Sequence, residues 1–326
     1  MHGAEPDYVS VASSSPAKPG HPVNPHPYLI AVLLLMVVSL PAALASEGEE
    51  AVEEDPDFVG SERPTVPAED IPEDAVIGEL IFERQNVFDL TNPKENNWFY
   101  ALANRWHWVT RESLLRRQIL VSEGEEFTQR LVDESGRILR RNSFLFDAIV
   151  RPVAVEGNRV DVEVATRDVW TLVPDLSASR TGGENRTKFG IEETNLLGRG
   201  QLVRIARTDN VDRSSNSLEF ADQNITDHRW SLYARAAENS DGYSNQLNFT
   251  RPFYALDTRW TAGTILLDDK RAVQLYRLGN TAAEFEQELQ YATLFGGWSR
   301  GLVGRWTRRL STGVVYDDNR FSEIRD

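Results

Sequence analysis

From Thr171 onward the chain abandons helical spacing for strand-length segments of alternating polarity, divided by turn residues. In 230–236, Trp230, Leu232, Ala234 and Ala236 are apolar while Ser231 and Arg235 fall on the other side. In 243–253, Leu247, Phe249 and Phe253 oppose Gln246, Asn248 and Thr250, and in 259–267 Trp260, Ala262 and Leu266 share a face. In 285–291, Phe285, Leu289 and Tyr291 oppose Glu286, Glu288 and Gln290. Side chains of a strand point to opposite faces in turn, so each segment has an oily side and a wet side. Repeated over many strands, this pattern fits a transmembrane β-barrel, with the glutamates expected to face a wet lumen.

Nine strands are expected near 171–180, 186–195, 200–208, 215–222, 229–237, 244–254, 258–267, 283–293 and 302–316. Connections at 196–200, 255–257 and 295–301 are compact. Those at 209–216, 238–245 and 268–281 are polar and mostly longer, as short periplasmic turns and long outer loops would be. Single-chain bacterial barrels have an even strand number. Nine strands would stop the chain at the outer face, near 318–326 and without a terminal aromatic, so 169–326 is expected to be the N-terminal part of a larger barrel. A water-soluble β-sandwich and a complete eight-stranded barrel are the competing architectures.

Ahead of this region, 28–40 is apolar apart from Ser39, Pro41 breaks it, and Ala43-Leu44-Ala45 supplies small residues. Thirteen residues are too few for a membrane-spanning helix, which needs about 20. We expect a signal peptide over 1–45, cut between Ala45 and Ser46. An uncleaved anchor is the alternative. Both methionines lie in this leader. The run 46–74 holds twelve acidic residues against Arg63, which is −11 of the net −15 and leaves −4 for the rest. It reads as an acidic, disordered linker. The near-balanced remainder has no basic field for nucleic acid. There is no cysteine, so disulfides and thiolate chemistry are excluded, and no cofactor is expected.

Between linker and barrel, 75–168 reads as an α+β domain. It has a strand at 76–83, a loop through Asn92-Pro93, and a short helix or insertion at 98–105. A helix follows, opened by Thr110 as N-cap and carrying Leu114, Leu115 and Ile119 on one face. A second helix at 128–141 has Leu131, Ile138 and Leu139 inward, and strands at 144–155 and 159–166 flank the turn 156–158. The order is βααββ. The aromatics Trp98, Phe99, Tyr100, Trp106 and Trp108 suit either a membrane or barrel-rim contact or ordinary core packing.

This order resembles the polypeptide-transport-associated (POTRA) domain, in which 144–155 would be a sheet edge open to strand addition. The segment Thr194-Asn195-Leu196-Leu197-Gly198-Arg199-Gly200 resembles a turn early in barrels of the outer-membrane insertase superfamily, the BamA- and TamA-like bacterial surface antigens. Arg251-Pro252-Phe253-Tyr254 with Asp257-Thr258-Arg259-Trp260 is similar to a second stretch seen there. The resemblance implies an outer-membrane assembly, insertion or translocation factor. Its partners would be outer-membrane lipid, unfolded outer-membrane or secreted proteins, and accessory periplasmic or lipoprotein subunits. An outer-membrane channel or a surface adhesin with a periplasmic spacer is the alternative. Only one such domain fits before the barrel, and the family's lumen-loop motif would lie beyond residue 326.

No catalytic residue is expected. Gly297-Trp298-Ser299-Arg300-Gly301 matches a nucleophile elbow, but a strand-like segment follows it and no histidine lies downstream, so it reads as a glycine-rich turn. Beyond the leader only His107 and His228 remain, in different expected domains, which makes a metal site on them improbable. Asp209-Asn210-Val211-Asp212 reads as a solvated loop rather than a calcium site.

Overall fold

The computed structural model describes residues 36–41, 63–181, 184–210, 213–277 and 280–323. Two sheets organise them, one of three strands and one of ten. After β1 (Met36–Pro41), the smaller sheet opens with β2 (Val76–Gln85). Three helices follow: α1 (Trp98–Trp106), α2 (Glu112–Gln118) and α3 (Gln129–Arg140). They lead to β3 (Leu145–Glu156) and β4 (Arg159–Asp168). The order in space is β2-β4-β3, with β2 parallel and β3 antiparallel to β4. A two-residue turn joins β3 to β4, with Gly157 at φ 63°. The parallel β2–β4 pair needs a crossover, and the helices supply it.

The core of this α/β unit gathers Ile77 and Leu80 from β2, Leu114, Leu115 and Leu139 from the helices, and Val160, Val162 and Val164 from β4. Two expectations shift in detail. On α3 the buried residues are Val132, Glu134, Ser135, Gly136 and Leu139, while Leu131 and Ile138 are only half-buried. The helix is turned so that Ser135 Oγ accepts from Leu120 N at 2.8 Å and Gly136 comes close to β3. Thr110 does not cap α2. Arg111 holds that position, and Thr110 is buried one residue earlier on other partners.

β3 is a sheet edge, partly occupied by the chain itself, since Val66 N donates to Pro152 O at 2.9 Å. Residues 63–74, read as the end of a disordered linker, therefore lie against the unit in their described part. Ile71 packs on its core.

The larger sheet contains nine consecutive antiparallel strands, as counted from sequence. They are β5 (Leu172–Thr181), β6 (Glu184–Glu193), β7 (Gln201–Asp209), β8 (Ser214–Asp222), β9 (Ser231–Asn239), β10 (Gly242–Arg251), β11 (Trp260–Arg277), β12 (Asn280–Val303) and β13 (Trp306–Glu323). This meander matches part of a β-barrel. No second sheet stacks on it among the described residues, in contrast to the packing a sandwich requires. β1, inside the expected leader, pairs antiparallel with Trp306–Ser311 of β13 and forms one edge, and β5 forms the other.

Two connections were misplaced. Within 268–281 the described residues are strand rather than loop. Asp268 to Arg277 pair with Gln290 to Asn280, and Lys270 reaches Glu286 at 2.8 Å and Glu288 at 3.1 Å. Opposite charges across the ladder make the polar stretch a good strand. Nor is 295–301 a turn. It runs within β12, where a bulge follows Ser299, and the true turn is at Gly304. Gly297 is there because a Cβ would come within 2.7 Å of Leu310 O on β13.

Directly opposed residues share a face. Register places Glu192, Arg204, Glu219, Arg235 and Gln246 in one row across β6–β10. On this polar face Arg204 meets Asp175, Glu192 and Glu219, and Arg235 meets Glu219 at 3.2 Å. The opposite face carries Ile191, Ile205, Leu218, Phe220, Leu247, Phe249, Leu266, Leu294 and Val314. The glutamate expectation fails here. Tyr291 joins the polar row through Leu267 and Gln246, so Glu286 and Glu288 lie on the face of the apolar band. They sit beyond its margin, level with Lys270, Tyr243 and Arg207, where that face becomes polar.

Candidate functional site

The two sequence motifs lie on one rim of the large sheet, the rim that touches the α/β unit. The 3-10 turn Leu196–Gly198 joins β6 to β7. Leu197, Gly198 and Gly200 all have positive φ (56°, 71° and 65°), a region that favours glycine. A Cβ at Gly198 would overlap Val109 O, and one at Gly200 would come within 2.7 Å of Leu114 Cδ2. The glycines therefore let the turn press against the segment before α2. Arg111 N donates to Gly198 O at 2.8 Å, and Arg111 Nε to Leu197 O at 3.0 Å.

Asn195 is the buried centre of this contact. Its Oδ1 accepts from Gly200 N at 2.7 Å, closing the turn, and its Nδ2 donates to Thr110 Oγ1 at 2.8 Å, crossing to the other unit. Thr110 N in turn donates to Asp168 Oδ2 at 2.7 Å, and the same oxygen lies 2.8 Å from His107 Nε2. Asp168 ends β4, so a buried polar chain connects the last strand of one unit to the β6–β7 turn of the other. Buried polar groups hold position firmly when partnered and destabilise when orphaned.

The second motif grips elsewhere. Arg251, nearly buried, donates to His228 O at 3.0 Å and Trp260 O at 2.6 Å, and its guanidinium lies 3.8 Å from the Trp260 ring centre. Tyr254 takes Arg229 over its ring at 4.2 Å, and Phe253 takes Arg309 at 4.9 Å. Asp257 pairs with Arg130 of α3 and accepts from Leu302 N at 3.2 Å, and Leu256 N donates to Glu134 Oε1 at 2.8 Å. Arg259 contributes its carbonyl, which accepts from Ser299 N at 2.8 Å, while its side chain and Pro252 are exposed. A third contact, which sequence reasoning missed, comes from the β8–β9 connection. Arg229 donates to Ile119 O at 2.6 Å, and Arg117 donates to Asn224 O at 3.2 Å. Burial pushes the Arg229 guanidinium below its ordinary value. Three turns thus hold α2, α3 and the segment before them.

Searches among family models and among curated proteins find no match. Among solved structures the chain is similar to the crystal structure of BamA from Haemophilus ducreyi lacking POTRA domains 1-3. The identity is 15% and the TM-score 0.39, over 74% of this chain and 56% of that one. The chain thus spans just over half of that protein's resolved length. A likeness of this extent assigns neither family nor activity.

The remaining candidates fall apart from this rim. Ser299 is buried in β12, with its Oγ accepting from Gly301 N at 3.0 Å. Asp209 pairs with Arg207, and Asn210 caps its own turn through Arg213, while Val211 and Asp212 lie outside the described residues. Ala45 and Ser46 also lie outside them. No group of metal-binding side chains is found among the described residues. Nor, among them, is any helix long and apolar enough to cross a membrane, which says nothing of strands.

Proposed function

We propose that this protein assembles, inserts or translocates other proteins at the bacterial outer membrane, with the large sheet in the lipid and the α/β unit, a POTRA-like domain, in the periplasm. The apolar face meets outer-membrane lipid and the polar face lines a wet interior. One observation carries the reading. Among the described residues β5 has a strand on one side only, it is flanked by exposed Leu172, Val173 and Leu176, and its sheet rim is held to a helical unit. An edge strand offers unpaired backbone groups, and in lipid such groups demand partners, so the edge is a strong acceptor for a client strand. The β3 edge, on which Val66 already rests, takes the same kind of extended chain on the periplasmic side.

Pro174 sits within β5 and has no N–H to give, as suits a nitrogen turned away from the ladder. By alternation, Leu176 and Ala178 also turn their N–H groups to the open edge. The paired substitutions Leu176→Pro and Ala178→Pro should abolish client assembly while export, folding and membrane integration persist. Full assembly by that variant, together with ion conductance from the purified protein, would replace this reading with that of a channel or a surface adhesin.

A further inference from the structure

α1 is a helix turned inside out. Its polar and anchoring side holds the α/β unit. Tyr100 stacks on Phe88 with ring centres 4.1 Å apart, and Asn104 donates to Phe88 O at 2.7 Å and accepts from Phe88 N at 3.1 Å. Asn97 caps its start by accepting from Phe99 N and Tyr100 N. The other side carries Trp98, Leu102, Trp106 and Phe99, which at helical spacing fill an arc of about 100°. None is buried, and Trp98 and Trp106 are 77% and 71% exposed. Trp108 just beyond is 60% exposed. Core packing, one of the two readings open from sequence, is therefore excluded for this stripe. A contiguous patch of large apolar residues in water marks a contact surface.

What covers it is indicated by where it leads. The apolar face of the sheet ends, on the rim nearest the α/β unit, in a row of tryptophans. Trp230 stacks on Phe249 at 4.5 Å and meets Trp260 edge-on, and Trp260 pairs with Trp298. At the other end of that rim Trp170 and Leu172 open β5. They share a cavity of about 220 Å³ with Trp106, His107 and Trp108. The aromatic row thus runs from the sheet through Trp170 onto α1. Indole rings favour the boundary between headgroups and acyl chains, and a short amphipathic helix with such a face lies in that plane. Arg105, exposed beside the stripe, suits headgroup phosphates.

We propose that α1 is an interfacial membrane anchor, inserting Trp98, Phe99, Leu102 and Trp106 into the periplasmic leaflet beside β5 and fixing the height of the α/β unit below the open edge. This rests on the reading that the sheet's apolar face meets lipid.

The absence of native cysteine permits a direct test. The full chain would carry one spin label at a time through Trp98→Cys, Leu102→Cys, Trp106→Cys, Asp133→Cys, Leu218→Cys or Leu294→Cys. Each variant would be reconstituted in phosphatidylethanolamine–phosphatidylglycerol vesicles after a check of heat-modifiable mobility. Collision with a water-soluble nickel complex should fall severalfold at 98, 102 and 106 relative to 133, with collision with oxygen rising, and both changes should be larger at 218 and 294. Nickel access at 98, 102 and 106 equal to that at 133, with 218 and 294 still immersed, would overturn the anchor and leave the barrel reading intact. Nickel access at 218 and 294 as well would overturn the barrel reading beneath it. Shielding at 98, 102 and 106 that is unchanged without vesicles and grows with protein concentration would assign the stripe to a second copy and overturn the anchor.

Discussion

In the α/β unit Leu115, Leu139 and Val164 are fully buried, whereas in the sheet Leu218, Leu294 and Val314 are each more than half exposed. Both regions alternate apolar with polar residues, and both have regular hydrogen-bond ladders. They differ in where the apolar side goes. The unit folds it inward against helices, as a protein in water must. The sheet turns it outward, and of its apolar side chains only Ala206, Ala237 and Ala255 are buried among the described residues. Under the proposed function the same amphipathic pattern serves two solvents, water around the unit and lipid around the sheet. On the sheet the ion pairs of Arg204 and Arg235 occupy the face that a soluble fold would have filled with Leu and Val.

Several substitutions break or sharpen this contrast. Leu115→Ala should cost about 2–5 kcal/mol in the unit through a cavity. Leu218→Ala should cost the sheet less, because a side chain facing lipid, as proposed, loses its transfer term but leaves no cavity in packed protein. A denaturant titration in vesicles that finds equal losses would erase the distinction. Leu294→Arg should cost about 2–4 kcal/mol when the sheet is folded into a bilayer, because a charge then faces hydrocarbon. Asn248→Arg, on the polar face, should cost far less under the same conditions. Reversal of that order would exchange the two faces.

At the junction, Gly198→Ala combines a strained positive φ with overlap on Val109 O, for a loss of about 1–3 kcal/mol. It should loosen the α/β unit from the rim without unfolding either part. Faster proteolysis within 107–111 alone would register this. The smallest effect concerns pH. The guanidinium of Arg116 holds the Glu123 carboxyl below its ordinary value of 4.5, aided by Leu80 N. A depressed carboxyl contributes stability above its unfolded value and loses that contribution as pH falls through the folded one. Glu123→Gln should therefore lower the α/β unit's stability slightly at neutral pH, with the difference from the native protein fading as pH falls below 4.5, so that the acid limb of its unfolding curve is flatter.

The strands were legible because alternation is a local signal. All nine were anticipated, as were α3 and the β3–β4 turn. The misplaced boundaries share a cause. The stretch 268–281 is polar enough for a loop when read alone, and only its partner strand, with Glu288 opposite Lys270 and Glu286 within ion-pair reach of it, makes its described part a strand. Gly297 looks like a turn residue, but it relieves crowding between neighbouring strands. The face of Glu288 depended on register, which a single strand cannot encode. The two motifs were visible as motifs, yet nothing in them named Thr110, Asp168, Arg130 or Glu134 as partners. The bonds that join these residues span 58 to 127 positions along the chain, and no local spacing relates them.

The amino-acid order alone determined which residues could be strands, which faces would be oily, and that no thiol chemistry is available. Those properties follow from side-chain chemistry and the two-residue period of an extended chain. Only the tertiary structure decided that no described residue covers the oily face of the sheet, that three turns clamp the α/β unit to one rim, and that α1 directs its tryptophans away from the unit's core. These depend on which distant backbones meet, and hydrogen-bond register and close glycine contacts set that jointly across the whole sheet.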